Sequence, residues 1–166
     1  KILKKNLNKL SLKSQLKVLD VGCGNGSLLY QIKKIYPEFA LKGIDKEKEF
    51  INVGKKFPGL RGVDFQILDL LKFKGSFDIV ICSSVFQIFE NFKKPLKKLL
   101  NFTRRNGLLL IDGLFNTYDV ETRLVYSDNS NNLSKNIWRR DWNQHSIKTV
   151  SNFLNSKKIT NFKFYN

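Results

Sequence analysis

Methionine is absent from the 166 residues, histidine occurs once and cysteine twice. The missing methionine implies that the translated start lies outside this chain. A single histidine, His145, and two distant cysteines, Cys23 and Cys82, supply no His/Cys cluster for a metal and no disulfide framework. No metal is therefore expected, and a reducing, cytoplasmic setting is the default. No apolar run approaches the ~20 residues that span a bilayer, and no signal peptide is visible, so no membrane partner is expected. Acidic residues are scarce, 14 against 30 basic, giving a net charge of +16. Charge of that size suggests nucleic acid. Most of these cations are lysines scattered through a chain also rich in Asn, Ile and Phe, however, so a solvated lysine surface is preferred and a nucleic-acid partner is not favoured.

What is present is a globular composition, 42% hydrophobic and 13% aromatic, in a length that suits one domain over residues 1–166. The chain is organised around Lys17-Val-Leu-Asp-Val-Gly-Cys-Gly-Asn-Gly-Ser-Leu-Leu29. Val18, Leu19 and Val21 form the short apolar run of a parallel strand covered on both faces. Gly22, Gly24 and Gly26 then turn the chain, with positive φ open to them and no Cβ to obstruct a ligand. Ser27 can cap the next element, in which Leu28, Leu29, Ile32 and Ile35 recur at helical spacing. Such a turn presents backbone N–H groups and a helix N-terminus to a ligand.

Strands and helices alternate from there. Phe39–Ile44 reads as a second strand ending at Asp45, and a helix over about 46–57 stops at Pro58-Gly59. The third strand, 63–68, ends at Asp69, and the fourth, 77–82, is the most apolar and should be central. Pro95 suits the first turn of a helix that reaches Phe102, closed by an αL glycine at Gly107. The fifth strand is 108–112. Strands separated by helices predict a parallel, doubly wound sheet with helices on both faces. Ahead of it, apolar residues among the lysines of 1–15 suggest a leading amphipathic helix.

The turn is G-x-G-x-G, with Ser27 where the dinucleotide fingerprint would place its third glycine. Asp20 sits inside the apolar strand, where burial is costly unless a partner, such as a cationic ligand group, pairs with it. These two features disfavour a nicotinamide-dependent oxidoreductase. The pattern from Val18 to Gly26 resembles the first motif of the class I S-adenosylmethionine-dependent methyltransferases: hydrophobic, hydrophobic, Asp/Glu, hydrophobic, G-x-G-x-G. The resemblance covers about 16–113 by motif and the remainder by element order. It implies the Rossmann-like fold of that family, S-adenosyl-L-methionine as cofactor and S-adenosyl-L-homocysteine as product. Asp20 and the backbone of Gly22, Cys23, Gly24 and Gly26 would hold the methionine end. Asp45 would accept from the ribose diol, unless it merely caps the next helix. Asp69 would meet the adenine amino group, with Leu70 supplying backbone beside the base, unless it only caps a loop. Ile44, Lys46 and Leu68 would flank the adenosine, and Ser83 would lie under the methionine part.

The acceptor side is less determined. Many small-molecule members carry a histidine three residues after the valine that Val85 matches; here it is Ile88, so no base is inherited there. The Asn/Asp-Pro-Pro-aromatic loop and the Pro-Cys pair of DNA-base methylases are missing, which disfavours those subclasses and leaves RNA-directed enzymes open. Residues 114–145, mixing Tyr118, Arg123, Tyr126, Trp138 and Trp142 with polar residues, read as a long lid or substrate loop. His145 is a candidate general base or simply the start of a helix. The closing segment, 146–166, reads as a last helix and a sixth strand over 159–165, with the family's last antiparallel strand missing from the chain. The expected activity is methyl transfer to an O, N or C nucleophile of a small-molecule acceptor. The alternatives are an RNA-directed enzyme and a non-catalytic cofactor-binding domain.

Overall fold

The computed structural model describes residues 15–127 and 138–165, with backbone alone at 138–141, so the leading helix expected over 1–15 lies outside the described residues. The described chain forms two compact units, one of residues 15–85 with Lys94–Asp112, the other of Phe86–Lys93 with residues 113–127 and 138–165.

The first unit is built on β1 (Lys17–Val21), β2 (Ala40–Asp45), β3 (Asp64–Ile67), β4 (Phe77–Ser83) and β5 (Thr103–Asp112), in the order β3-β2-β1-β4-β5 with every pairing parallel. The connecting helices are α1 (Ser27–Ile35), α2 (Lys48–Lys56) and α3 (Lys93–Phe102). β1 is the middle strand, which explains its apolar run: Val18, Leu19 and Val21 are at most 1% exposed. Each such side chain contributes about 1.5–3 kcal/mol relative to exposure. β4 is internal as expected, and Ile79, Val80 and Cys82 are fully buried. The strand order reverses between β1 and β4, so their carboxyl ends flank the crevice where sheets of this kind bind ligands.

Local departures from expectation have local causes. In α1 only Leu29 and Ile32 are buried, because Leu28 and Ile35 project from the flank of the helix, away from the face that Leu29 and Ile32 share. The left-handed residue expected at Gly107 is instead Asn106 (φ 65), which lies inside β5. β5 starts at Thr103, directly after α3. Phe77 pairs with Thr103 and Ile79 with Leu108, so four residues of β5, 104–107, stand opposite Asp78 of β4 in a bulge. Gly107 is needed for space: a Cβ there would stand 2.8 Å from the Asp78 carbonyl oxygen.

In the second unit, described parts of the range 114–145, expected as a loop, form a small sheet, and residues 128–137 lie outside the described residues. β6 (Phe115–Asn116), β8 (Trp138–Ser146) and β7 (Thr122–Ser127) lie in the order β6-β8-β7, with β7 and β8 antiparallel. Then α4 (Ile147–Ser156) follows, capped by Ser146, whose Oγ accepts from the Thr149 N–H at 3.2 Å. Residues 159–165 carry no strand. Phe162 and Phe164 use them for ring contacts instead, Phe164 against Phe115 at 5.5 Å. Among the described residues, no helix is long and apolar enough to cross a membrane.

Candidate functional site

The glycine turn leaves β1 at Val21, whose register partners are Ile44 of β2 and Cys82 of β4. The Gly22 and Cys23 N–H groups both donate to the Ile44 carbonyl, at 2.8 and 3.1 Å, and the Gly26 N–H donates to the Cys23 carbonyl at 2.9 Å. Most of the turn's amides are therefore satisfied within the protein, a departure from the expectation that they face a ligand. The three glycines serve different ends, though all have positive φ (71, 53 and 85). A Cβ on Gly22 would come within 2.2 Å of Val85 Cγ2, and one on Gly26 within 2.6 Å of the Phe65 ring. A Cβ on Gly24 would meet nothing within 4 Å. Gly22 and Gly26 thus allow packing, whereas Gly24 borders open space.

Ser27 does not cap α1. Gly26 is the N-cap, without a side-chain bond, and Ser27 donates both its N–H and its hydroxyl to Asn25 Oδ1. Two glycines outside the motif also set the turn. At Gly43 of β2 a Cβ would come 2.7 Å from Cys23 Sγ, and at Gly54 of α2 one would come 2.7 Å from the Asn25 carbonyl oxygen. Isolated glycines inside a strand and a helix are a sequence signal of close approach, and they mark residues that the motif reading missed.

Three carboxylates stand along the carboxyl ends of β1, β2 and β3. Asp20 is 2% exposed, and among the described residues no hydrogen-bond donor reaches its carboxylate. Burial, reinforced by the nearby negative charge of Asp45, pushes its pKa up to about 7. A buried carboxyl with no partner is costly, and a cation brought beside it would restore the ionised form. Asp45 is half-buried: Oδ2 accepts from the Gly24 N–H at 2.8 Å and Oδ1 from the Glu47 N–H at 2.9 Å. It ties the turn to the segment before α2, and each oxygen retains acceptor capacity. Asp69 is exposed, and its Oδ1 accepts from the Leu71 N–H at 2.7 Å.

The remaining expected residues divide. Cys23 is 8% exposed with its thiol beside Gly43, and burial raises its pKa far above the ordinary range. Lys46 is exposed and lies 3.6 Å from Glu47. Leu70 is 6% exposed, its side chain in the core. Ser83, at the end of β4, donates to Asp112 Oδ2 at 3.0 Å. Asp112, at the end of β5, had no expected role. The Cys82 thiol is fully buried and its pKa is pushed up to about 12, mainly by burial.

His145 belongs to the second unit. It is 1% exposed, with ring centroids 5.5 Å from Phe86 and 5.1 Å from Phe92. Burial pulls its pKa down, against the opposing pull of Glu121 and of the Phe89 carbonyl. Its Nε2 has no partner among the described residues. This is the environment of a neutral core histidine. No group of three or more His, Cys, Asp or Glu able to hold a metal occurs among the described residues. A groove of about 270 Å³ lined by Tyr30, Val53, Phe57 and Leu60 includes none of the three carboxylates.

The sheet edge thus presents a buried carboxylate at Asp20, a carboxylate with remaining acceptor capacity at Asp45 and open space over Gly24. A family profile described as a methyltransferase domain matches residues 12–162. The malonyl-[acyl-carrier protein] O-methyltransferase of Bacillus cereus is 26% identical over 111 residues, 66% of this chain and 40% of that protein. A probable (S)-tetrahydroprotoberberine N-methyltransferase 2 of Papaver bracteatum is 29% identical over 100 residues, 57% of this chain and 28% of that protein. Among solved structures, the plantazolicin methyltransferase BpumL in complex with SAH superposes with a TM-score of 0.60 at 25% identity, over 68% of this chain and 44% of that one. The chain spans less than half the length of each of these relatives.

Proposed function

Because the chain belongs to the methyltransferase-domain family, with the class I S-adenosylmethionine-dependent fold, we propose that its protein transfers the cofactor's methyl group to a nucleophile of a small-molecule acceptor. The observation that supports this most is the buried, unpartnered Asp20 carboxylate beside the open face of Gly24. Asp20 would pair with the amino group of the cofactor, and that pairing would lower its pKa from about 7. Asp45, held by two backbone N–H groups, would accept from the ribose diol, and Asp69 from the adenine amino group. Lys46 and Leu70 would flank the adenosine, Ser83 the methionine part. Bound S-adenosylmethionine supplies an electrophilic methyl on a sulfonium. The protein's share is alignment and exclusion of water, which can be worth several kcal/mol, up to about 10. Residues 114–145 are proposed to select the acceptor, and His145 is assigned no proton-transfer role. A cytoplasmic setting belongs to the same reading, supported by two free, buried cysteines.

The relatives' acceptors differ, one an O-methyltransferase of a malonyl-[acyl-carrier protein] and one an N-methyltransferase, so the family alone does not choose. One feature favours a second reading with an RNA acceptor. No acid occurs between Glu90 and Asp112, a stretch holding Lys93, Lys94, Lys97, Lys98, Arg104 and Arg105.

Calorimetric titration with S-adenosylmethionine and, separately, NADH tests the main reading. Micromolar binding of the first alone, weakened at least tenfold by Asp45→Ala, a loss of about 1.4 kcal/mol, is the expected result. Absence of binding would leave a non-catalytic domain. RNA binding whose affinity falls steeply with salt would favour the second reading.

A further inference from the structure

The carboxyl edge of the first unit's sheet carries a fourth carboxylate that the cofactor reading does not use. Asp69, Asp45 and Asp20 stand within two residues of the ends of β3, β2 and β1, all on one side of the point where the strand order reverses. Asp112 stands on the other side, at the end of β5. In register, Asp20 pairs with Ile81 and Ile81 with Leu110. Asp112 is therefore two strands away from Asp20, roughly 10 Å across the sheet, and two residues, roughly 7 Å, further out along it.

Its setting is that of a held but open base. The hydroxyls of Ser83 and Ser84 both donate to Oδ2, at 3.0 and 3.4 Å, and the Ser84 N–H donates to the Asp112 carbonyl oxygen at 3.0 Å. Oδ1 has no partner among the described residues, and the residue is exposed. Ser84 reaches this position with φ 59, an uncommon conformation for serine. One carboxylate oxygen is held by two hydroxyls and the other is left to accept a further proton donor.

We propose, resting on the methyltransferase reading above, that Asp112 is the proton acceptor on the acceptor side, and that its charge restricts acceptors to N–H and O–H groups and rejects free carboxylates. In that step the acceptor's nitrogen or oxygen lone pair forms the new bond to the methyl carbon. The sulfur–carbon bond breaks with its electron pair remaining on sulfur. The proton from nitrogen or oxygen passes to Asp112 Oδ1 and then to solvent. A carboxylate acceptor has no such proton to give, and it would approach a like charge, which costs affinity.

The test uses the full chain, its Asp112→Asn and Asp112→Glu variants, and three probes that share an aromatic body: N-methylbenzylamine, benzyl alcohol and phenylacetate. Titration with S-adenosylhomocysteine comes first. Failure of the wild-type protein to bind it would overturn the underlying reading, and this one with it. With binding established, transfer of tritiated methyl from S-adenosylmethionine is measured. The expected result is transfer to the amine or the alcohol and none to phenylacetate. Asp112→Asn keeps the serine contacts, because its amide oxygen still accepts. It should bind S-adenosylhomocysteine within twofold of wild type yet lose about 100-fold or more in rate. Asp112→Glu, which restores the charge, should recover part of that rate. A role limited to tying β4 to β5 predicts the reverse order of the two variants. That order, methylation of phenylacetate, an unchanged rate in Asp112→Asn, or no transfer to any probe would each overturn the proposal.

Discussion

The two units solve the problem of a buried interior in different ways. In the first, the core is mainly aliphatic: Val18, Leu29, Ile32, Ile51 and Ile79 form one cluster, and Asp20 is the only buried charged or polar residue of this unit among those described. In the second, rings meet rings, with Phe86, Phe92, Phe115, Phe153 and His145 in contact. Four polar residues are buried there as well: Gln87, Asn143, His145 and Ser146. A parallel sheet covered on both faces satisfies its backbone through the ladder alone, so its side chains can be apolar. The second unit satisfies part of its backbone with side chains, as when Asn143 Nδ2 donates to the Gln87 carbonyl at 3.0 Å. One unit is held by periodicity, the other by particular contacts.

The largest effects should come from the two cores. Leu19→Ala should cost about 2–5 kcal/mol and Phe86→Ala about 3–5, read from urea denaturation. A loss below about 1 kcal/mol in either would mean that its unit is packed more loosely than its burial indicates.

Next is a contrast within the glycine turn. Gly22→Ala combines positive φ with a 2.2 Å approach to Val85 and should lower stability by about 2–4 kcal/mol. Gly24→Ala meets no neighbour and should cost only the backbone strain, about 1–2 kcal/mol, while weakening S-adenosylhomocysteine binding at least tenfold. Thermal melts and calorimetry on the same pair separate the two roles. Equal melting losses would erase the distinction.

The units should also respond to pH with opposite sign. The folded Asp20 pKa, about 7, lies above its ordinary value of 3.8, so the folded protein holds more protons between those values. This unit's stability therefore falls as pH rises from 4 to 7. His145 is shifted the other way, below 6.5, so its contribution is intact above 6.5 and is lost as pH falls beneath it. Asp20→Asn should flatten the first trend and leave the second; pH-dependent denaturation of both proteins checks this. By the same linkage, binding of a cationic ligand at Asp20 should weaken as pH drops below 7.

The smallest expected effect is at the cap of α4. Ser146→Ala should cost about 1 kcal/mol, since its Oγ both accepts from Thr149 and donates to Asp119. A melt unchanged within error would show that Asp119, also bonded to Lys148, anchors the helix unaided.

The same contrast decides how far each unit could be anticipated. β1 to β5 were legible because apolar runs recur at βα spacing, and Asp20, Asp45 and Asp69 come to one edge, within two residues of the ends of β1, β2 and β3, because the sheet is parallel. β8 was not legible: Trp-Arg-Arg-Asp-Trp-Asn-Gln-His-Ser shows neither apolar alternation nor a run, since its burial rests on partners far away in sequence. The strand expected over 159–165 had the alternation but no paired neighbour, and its phenylalanines went to the aromatic cluster. The capping role given to Ser27 passed to Gly26, because the backbone there is left-handed.

What the sequence by itself determined is the parallel sheet, its order of elements and the family, all of which depend on local periodicity and on a short motif that only glycines can satisfy. What only the tertiary structure decided is which glycine faces open space, that Asp20 lacks a partner, that His145 is enclosed by phenylalanines, and that Asp112 gathers Ser83 and Ser84. Each of these depends on groups brought together from distant parts of the chain, and the burial and electric field they create at a side chain are properties of the fold, not of the sequence around it.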